Sequence, residues 1–172
     1  MDEIVDVVDD NDKVIGKELK SKCHKEKILH RGANIFAFKD NFFKEILLQK
    51  RSMNKIANPG DFCTPGGHLE QGESYLDGAK REFFEEMHNS SNVNKNIQFE
   101  ELFKIKKFTD NDYEFITLFR AISTGPFELD PEEVESCFFE DINITLEKIE
   151  TNPKNYTGTT VLLLKEYKKR FL

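Results

Sequence analysis

The chain has no tryptophan, only three cysteines and five prolines, and no long apolar run. Its longest apolar stretches, such as IFAF and VLLL, fall far short of the roughly 18 residues that a membrane-spanning helix needs. No membrane partner is therefore expected. Cys23, Cys63 and Cys137 are an odd and widely spaced set. Reduced thiols of a cytosolic protein explain them better than a disulfide framework. Positive charge is also short: 25 Lys and Arg against 32 Asp and Glu leave a net charge of −7. A general nucleic-acid-binding surface needs clustered basic residues, so the charge argues against that class and no nucleic-acid partner is expected. A small anionic substrate is still allowed, because bound divalent cations invert the local charge. The opening MDEIVDVVDD lacks the basic, apolar and cleavage regions of a signal peptide, so a cytoplasmic setting is expected.

Phenylalanine is abundant, with 16 copies, and reads as the filling of a core. At 172 residues the chain fits a single domain, 1–172, large enough to bury that core. Apolar residues at 38% and charged residues at 33% are those of a globular protein.

Residues 3–8 alternate like a strand, and the acidic 9–12 stretch reads as a turn. VIG is strand-like, and a Lys-rich polar stretch follows it to residue 30. Residues 33–38 form a short apolar run, and 45–50 look like its hairpin partner. Residues 51–67 read as a long loop with two Pro-Gly pairs, of the kind that often carries function. Residues 74–87 predict a helix capped by Ser74, with Asp77 in its first turn. A polar loop covers 88–96, and strands cover 97–108 and 113–121 around a turn at 109–112. In the second strand Tyr113, Phe115, Thr117 and Phe119 share one face, while Glu114, Ile116, Leu118 and Arg120 share the other. VESCFF reads as a strand, and NITLEKIE as a short helix after a capping Asn143. Residues 159–171 form an amphipathic helix whose basic end suits the macrodipole. Strands interrupted by one helix and closed by another predict a mixed α/β sandwich.

The densest chemistry lies in GHLEQGESYLDGAKREFFEE, residues 67–86. Glu82, Glu85 and Glu86 stand at i, i+3 and i+4, which puts three carboxylates on one helical face. Like charges so placed repel, unless solvent or a cation neutralises them. Carboxylate oxygens are the hard ligands that Mg²⁺ and Mn²⁺ prefer. The opposite face offers Leu76, Ala79 and Phe83 to the core, Gly78 permits a close backbone approach, and Glu73 can pair with Arg81.

This segment resembles the Nudix box: Gly, five residues, Glu, seven residues, Arg-Glu, an apolar residue, any residue, Glu-Glu. The matching residues are Gly67, Glu73, Arg81, Glu82, Phe83, Glu85 and Glu86, preceded by Pro65-Gly66. Six fixed identities match a random window about once in 10⁷. His88 and Asn89 stand where the family usually has Gly and an apolar residue. The resemblance implies an α/β/α sandwich with a mixed β-sheet, and Mg²⁺-dependent attack of water on a phosphorus of a small-molecule diphosphate. Mn²⁺ would substitute for Mg²⁺, and a homodimer is allowed. By the same resemblance Glu82, Glu85, Glu86 and the Gly66 carbonyl would hold metal, Arg81 and Glu73 would orient them, and Glu133 matches a frequent downstream acidic position that supplies a base.

Residues 3–52 and PFELDPEEVESCFF look like the branch that contains isopentenyl-diphosphate isomerase and its hydrolase-like relatives. In the isomerases a metal is held by histidines and acidic residues, and His24, His30, His68, Asp112 and Glu114 fall near the matching places. The His24–His30 spacing is one residue short. Polar or phosphate-contacting roles are the other reading of these histidines, and His68 is expected to contact substrate. Arg51 and Lys55 match cationic positions that hold the diphosphate; an ordinary basic loop is the alternative. The isomerases carry a catalytic cysteine where this chain has Gly66, and Cys63 stands three residues too early. They also usually lose part of the glutamate cluster, which is complete here. Hydrolysis of a nucleoside diphosphate derivative or similar organic diphosphate is therefore the expected activity. Isomerisation of isopentenyl diphosphate is the runner-up, and a non-catalytic binding module is the third reading.

Overall fold

The computed structural model describes residues 2–87, 97–108 and 113–172. Nine strands are present among them: β1 (Ile4–Val8), β2 (Val14–Leu19), β3 (His30–Phe38), β4 (Glu45–Arg51), β5 (Phe62–Cys63), β6 (Gly66–His68), β7 (Phe99–Phe108), β8 (Tyr113–Ile122) and β9 (Val134–Asp141). Four α-helices accompany them: α1 (Lys20–Glu26), α2 (Tyr75–Met87), α3 (Ile142–Thr151) and α4 (Gly158–Phe171). The chain divides into two compact units, one made of 1–35, 66–82 and 99–119, the other of 36–65, 83–98 and 120–172. Strands β3 and β8 and helix α2 run through both.

In the first unit β1 and β2 form an antiparallel hairpin in which Ile4 faces Leu19 and Asp6 faces Lys17. The Asp9 carboxylate closes its turn by accepting the amides of Asn11 and Lys13, each at 2.9 Å, which is the local bonding that makes Asp a turn residue. Strands β6, β3, β8 and β7 follow one another in a sheet. Strand β6 runs antiparallel to β3, with Gly32 opposite His68 and Asn34 opposite Gly66.

Helix α1 lies in the Lys-rich polar stretch, to which sequence reading assigned no element. Its residues are mostly exposed and polar, and Cys23 alone is buried, so no apolar period announces it. It ends at Lys27, whose left-handed backbone (φ 57°) lets its amide bond the Cys23 carbonyl. The loop expected over 51–67 holds two very short strands, β5 and β6.

In the second unit β4 pairs with β9 along its whole length, from Glu45 opposite Asp141 to Arg51 opposite Val134. Phe36, Phe38, Leu47, Leu48, Phe83, Leu163 and Leu164 are fully buried, and Phe36 lies 5.4 Å from the Tyr167 ring. Phenylalanine does fill the core, although Phe42, Phe108 and Phe171 are exposed. Helix α3 is capped by Asp141, not Asn143: the Asp141 carboxylate accepts the Asn143 amide at 2.8 Å. Thr157 caps α4, and Lys168, Lys169 and Arg170 fill its last turn.

Candidate active site and metal-ligand cluster

Helix α2 begins as its sequence suggests. The Ser74 hydroxyl accepts the Asp77 amide at 3.1 Å and satisfies a donor that the first turn leaves open. Ala79 and Phe83 are fully buried, whereas Leu76 is 37% exposed and does not join the core. Gly78 is needed for its size: a Cβ there would stand 2.9 Å from Leu69 Cγ.

Arg81 organises the helix. Its Nε and Nη2 donate to the two Glu73 oxygens at 2.8 and 3.0 Å, its Nη1 to Glu82 Oε1 at 2.9 Å, and Nη2 also to the His68 carbonyl at 2.8 Å. The bidentate bond to Glu73 leads in raising the Arg81 pKa above its ordinary value, against the opposing effect of burial. Burial disfavours charge on Glu73 too, but the bonds from Arg81 and the Glu70 amide outweigh it and hold the carboxyl below its usual range.

The Glu82 carboxylate is thereby pressed against β6. A Cβ on Gly67 would lie 2.5 Å from Glu82 Cδ. Gly66 is equally constrained: its φ is 140°, and a Cβ there would meet the Ala33 carbonyl at 2.3 Å and Asn34 Cα at 2.7 Å. Along α2, Glu85 is exposed and Glu86 buried.

Four other groups meet within the first unit. His24 comes from α1, His30 from the start of β3, His68 from the end of β6 and Glu114 from β8. One ligand atom from each lies within 4.8 Å of all the others. The His24 ring is 4.9 Å from both the His30 and His68 rings, and His30 stacks on His68 at 5.1 Å. The short His24–His30 spacing is no obstacle, because α1 ends two residues after His24 and the left-handed Lys27 turns the chain between the two. Asp112 lies outside the described residues, as do His88 and Asn89.

His30 is fully buried, and its Nδ1 sits 2.8 Å from the Ile28 carbonyl. That oxygen can only accept, so Nδ1 carries the proton and Nε2 presents a lone pair. Among the described residues this Nε2 has no hydrogen-bond partner, and Glu114 Oε1 lies 3.7 Å from it. A buried lone pair without a partner costs free energy, and a metal ion would remove that cost. Burial, followed by the neighbouring His68, drives the His30 pKa down to about 4, which keeps the ring neutral and ligand-ready. His68 Nε2 lies 3.0 Å from Glu114 Oε1. Burial opposes charge on Glu114, but the bond to His68 and the nearby Lys107 ammonium outweigh it and lower its pKa to about 2. Three imidazoles and one carboxylate suit a borderline divalent ion better than Mg²⁺.

Lys107, buried beside this cluster, was not singled out by sequence reasoning. The period-2 pattern of β7, which buries Phe103 and Lys107, was the available signal.

In the second unit Lys55 and Glu133 form an ion pair, a pairing the sequence did not suggest. The Ser52 amide also bonds the Glu133 carbonyl at 3.0 Å. Arg51 Nε reaches the Ala57 carbonyl at 3.2 Å. Cys63 is buried on β5 with its sulfur 3.4 Å from Gln49 Nε2, and burial pushes its thiol up to about 11. All three cysteines are unbridged. Among the described residues no helix is long and apolar enough to cross a membrane.

The NUDIX domain family model matches residues 28–167. An isopentenyl-diphosphate Delta-isomerase of Serratia proteamaculans is 29% identical, over 96% of this chain and 92% of that protein. A Nudix hydrolase of Yersinia pestis, itself uncharacterized, is 31% identical over 94% of this chain and 86% of its own length. A crystal structure of a Deinococcus radiodurans protein superimposes with a TM-score of 0.80 at 20% identity, covering 95% of this chain and 98% of that one. With its mixed α and β elements, multi-strand sheet and complete helix of glutamates, the chain belongs to the NUDIX domain family and is an enzyme of the Nudix hydrolase type.

Proposed function

We propose that the protein is a Mg²⁺-dependent hydrolase of a diphosphate linkage, acting as one domain on a nucleoside diphosphate derivative or similar organic diphosphate. The observation that carries this reading is the Arg81 clamp, in which one guanidinium holds Glu73, Glu82 and the His68 carbonyl and sets the first glutamate against Gly67. Glu82, Glu85, Glu86 and the Gly66 carbonyl would hold the metal. A bound divalent ion there supplies neutralisation of phosphate charge and a more acidic water. Mn²⁺ would serve in its place.

Arg51 and Lys55 would hold the diphosphate. Lys55 is engaged by Glu133, so an incoming phosphate exchanges one anion for another at its ammonium and releases Glu133 as a base. His68 is better assigned to the histidine cluster than to substrate, since its ring faces Glu114. That cluster would hold a second, borderline divalent ion. Three unbridged cysteines support a cytoplasmic setting.

The histidine cluster favours a second reading, isopentenyl-diphosphate isomerisation, which the Serratia relative is named for. Gly66 speaks against it, because the position where a catalytic cysteine is needed has no room for a side chain. The deciding experiment is phosphate release with Mg²⁺ from a panel of nucleotide sugars, dinucleotides, nucleoside triphosphates and prenyl diphosphates. Glu85→Gln and Glu86→Gln should lower kcat by orders of magnitude while the fold survives. Near-native turnover by both variants would sink the assignment.

A further inference from the structure

We infer that the β1–β2 hairpin is a clamp that sets the entry of α2, and that Asp12 is its positioning residue. The hairpin lies outside the residues that the family model matches, which begin at 28. It nevertheless grips the segment between β6 and α2 at successive points. The Gln71 amide donates to the Ile4 carbonyl at 3.0 Å. The Gly72 amide donates to Asp6 Oδ2 at 3.0 Å, and Asp6 is only 8% exposed. A carboxylate buried that deeply is tolerated because it accepts such bonds. Lys17 Nζ reaches Gln71 Oε1 at 3.5 Å.

Asp12 makes the last and most connected grip. Its carboxylate accepts Arg31 Nε at 2.6 Å and lies 3.0 Å from the hydroxyl of Tyr75, the first residue of α2. Lys104 of β7 binds the same carboxylate, and Arg31 also donates to the Asp12 carbonyl. The Tyr75 ring lies 4.0 Å from Lys104 Nζ and 5.4 Å from the Arg31 guanidinium, so two cations hold the ring whose hydroxyl Asp12 holds. Asp12 reaches this place from a left-handed backbone, φ 62°, which Asp tolerates better than most residues.

The consequence concerns Glu82. Its carboxylate stands two turns along α2 from Tyr75, wedged against Gly67, and a metal ligand must be held to within about 0.5 Å of its working position. Freeing the first turn of α2 lets the helix shift along β6 and loosens Glu82 without touching it. The inference rests on α2 being the metal-bearing helix, and its test is divided so that the two ideas can fail separately.

Amide hydrogen exchange and Mg²⁺ activation are measured on wild type, Asp12→Asn and the milder Tyr75→Phe. In Asp12→Asn, exchange should quicken at least tenfold at Gln71, Gly72 and the first turn of α2, with β4–β9 amides unchanged. The Mg²⁺ concentration for half-activation should rise several-fold, while KM for substrate at saturating Mg²⁺ stays as in wild type. Tyr75→Phe should move both readings the same way by less, and the double variant should add little to Asp12→Asn. Unchanged exchange over 69–78, or quickening spread evenly over the whole chain in both variants, overturns the clamp. If wild type hydrolyses nothing in the panel, the functional reading has failed and exchange alone decides: acceleration confined to 69–78 supports the clamp, and its absence removes it.

Discussion

The Glu82 carboxylate occupies the space that a side chain on Gly67 would need, so that a Cβ there would come within 2.5 Å of Glu82 Oε1. Gly67→Ala should therefore push Glu82 off its bond to Arg81. Overpacking of this kind costs about 1–3 kcal/mol of stability. The larger effect is expected on catalysis: Mg²⁺ affinity and kcat should both fall at least tenfold, as titration calorimetry and steady-state rates would record. Native Mg²⁺ affinity in the Gly67→Ala variant would mean that Glu82 is not a ligand.

Gly66 separates hydrolase from isomerase. Gly66→Cys restores the thiol that an isomerase needs, but at φ 140° and 2.3 Å from the Ala33 carbonyl the new Cβ forces β6 away from β3. The variant should be strongly destabilised and inactive in both reactions. Wild type should place no solvent deuterium in isopentenyl diphosphate between about pH 6 and 9, the range around an ordinary thiol pKa. Cys63→Ala should hydrolyse substrate at the wild-type rate, since the Cys63 sulfur is buried against Gln49. Deuterium uptake that depends on Cys63 would reverse the preference.

The histidine cluster should bind one equivalent of Co²⁺ or Zn²⁺ per chain. Co²⁺ gives visible bands that report nitrogen ligands. His24→Ala and Glu114→Gln should each weaken binding by roughly 10–100-fold, and added metal should raise the Tm of wild type more than theirs. A chelator-treated protein that takes up no Co²⁺ at micromolar concentration would leave these groups with a purely polar role.

Asp12 also makes stability depend on pH. Burial alone would raise its pKa, but the bonds from Lys104, Arg31 and Tyr75 outweigh burial and lower it. A carboxylate whose folded pKa is lowered contributes stability that is complete above its unfolded value, about 3.9, and is lost as pH falls through the folded value. Asp12→Asn should cost about 1.5–3 kcal/mol at pH 7, the range for hydrogen bonds to charged groups. Denaturant melts should show that difference shrinking below about pH 4, where the carboxylate begins to protonate. A gap that stays constant down to about pH 2 would show that the Asp12 charge does not matter.

The local features were legible because they depend on near neighbours along the chain. Helical spacing puts Glu82, Glu85 and Glu86 on one face whatever surrounds them, and a short polar side chain at the helix start, Ser74, caps in most contexts. Alternation located β1 and sorted the two faces of β8, and the box spacing identified the family. Leu76 and Asn143 were misjudged because helix phase and cap position shift by a residue or two with the packing around them. Helix α1 was missed because it buries only Cys23 and so carries no periodic signal.

Sequence by itself determined the family, the class of element at most positions and the set of groups able to bind metal. Tertiary structure alone decided which of those groups meet. His24, His30, His68 and Glu114 are far apart along the chain, and no local rule brings an α1 histidine to a β8 glutamate. The pairing of β6 with β3 and the placing of β8 beside β3 bring His30, His68 and Glu114 together, and the position of α1 adds His24. The engagement of Lys55 by Glu133 and of Asp12 by Tyr75 and Arg31 has the same origin. Charges far apart in sequence choose partners by distance and burial, and both are properties of the folded chain.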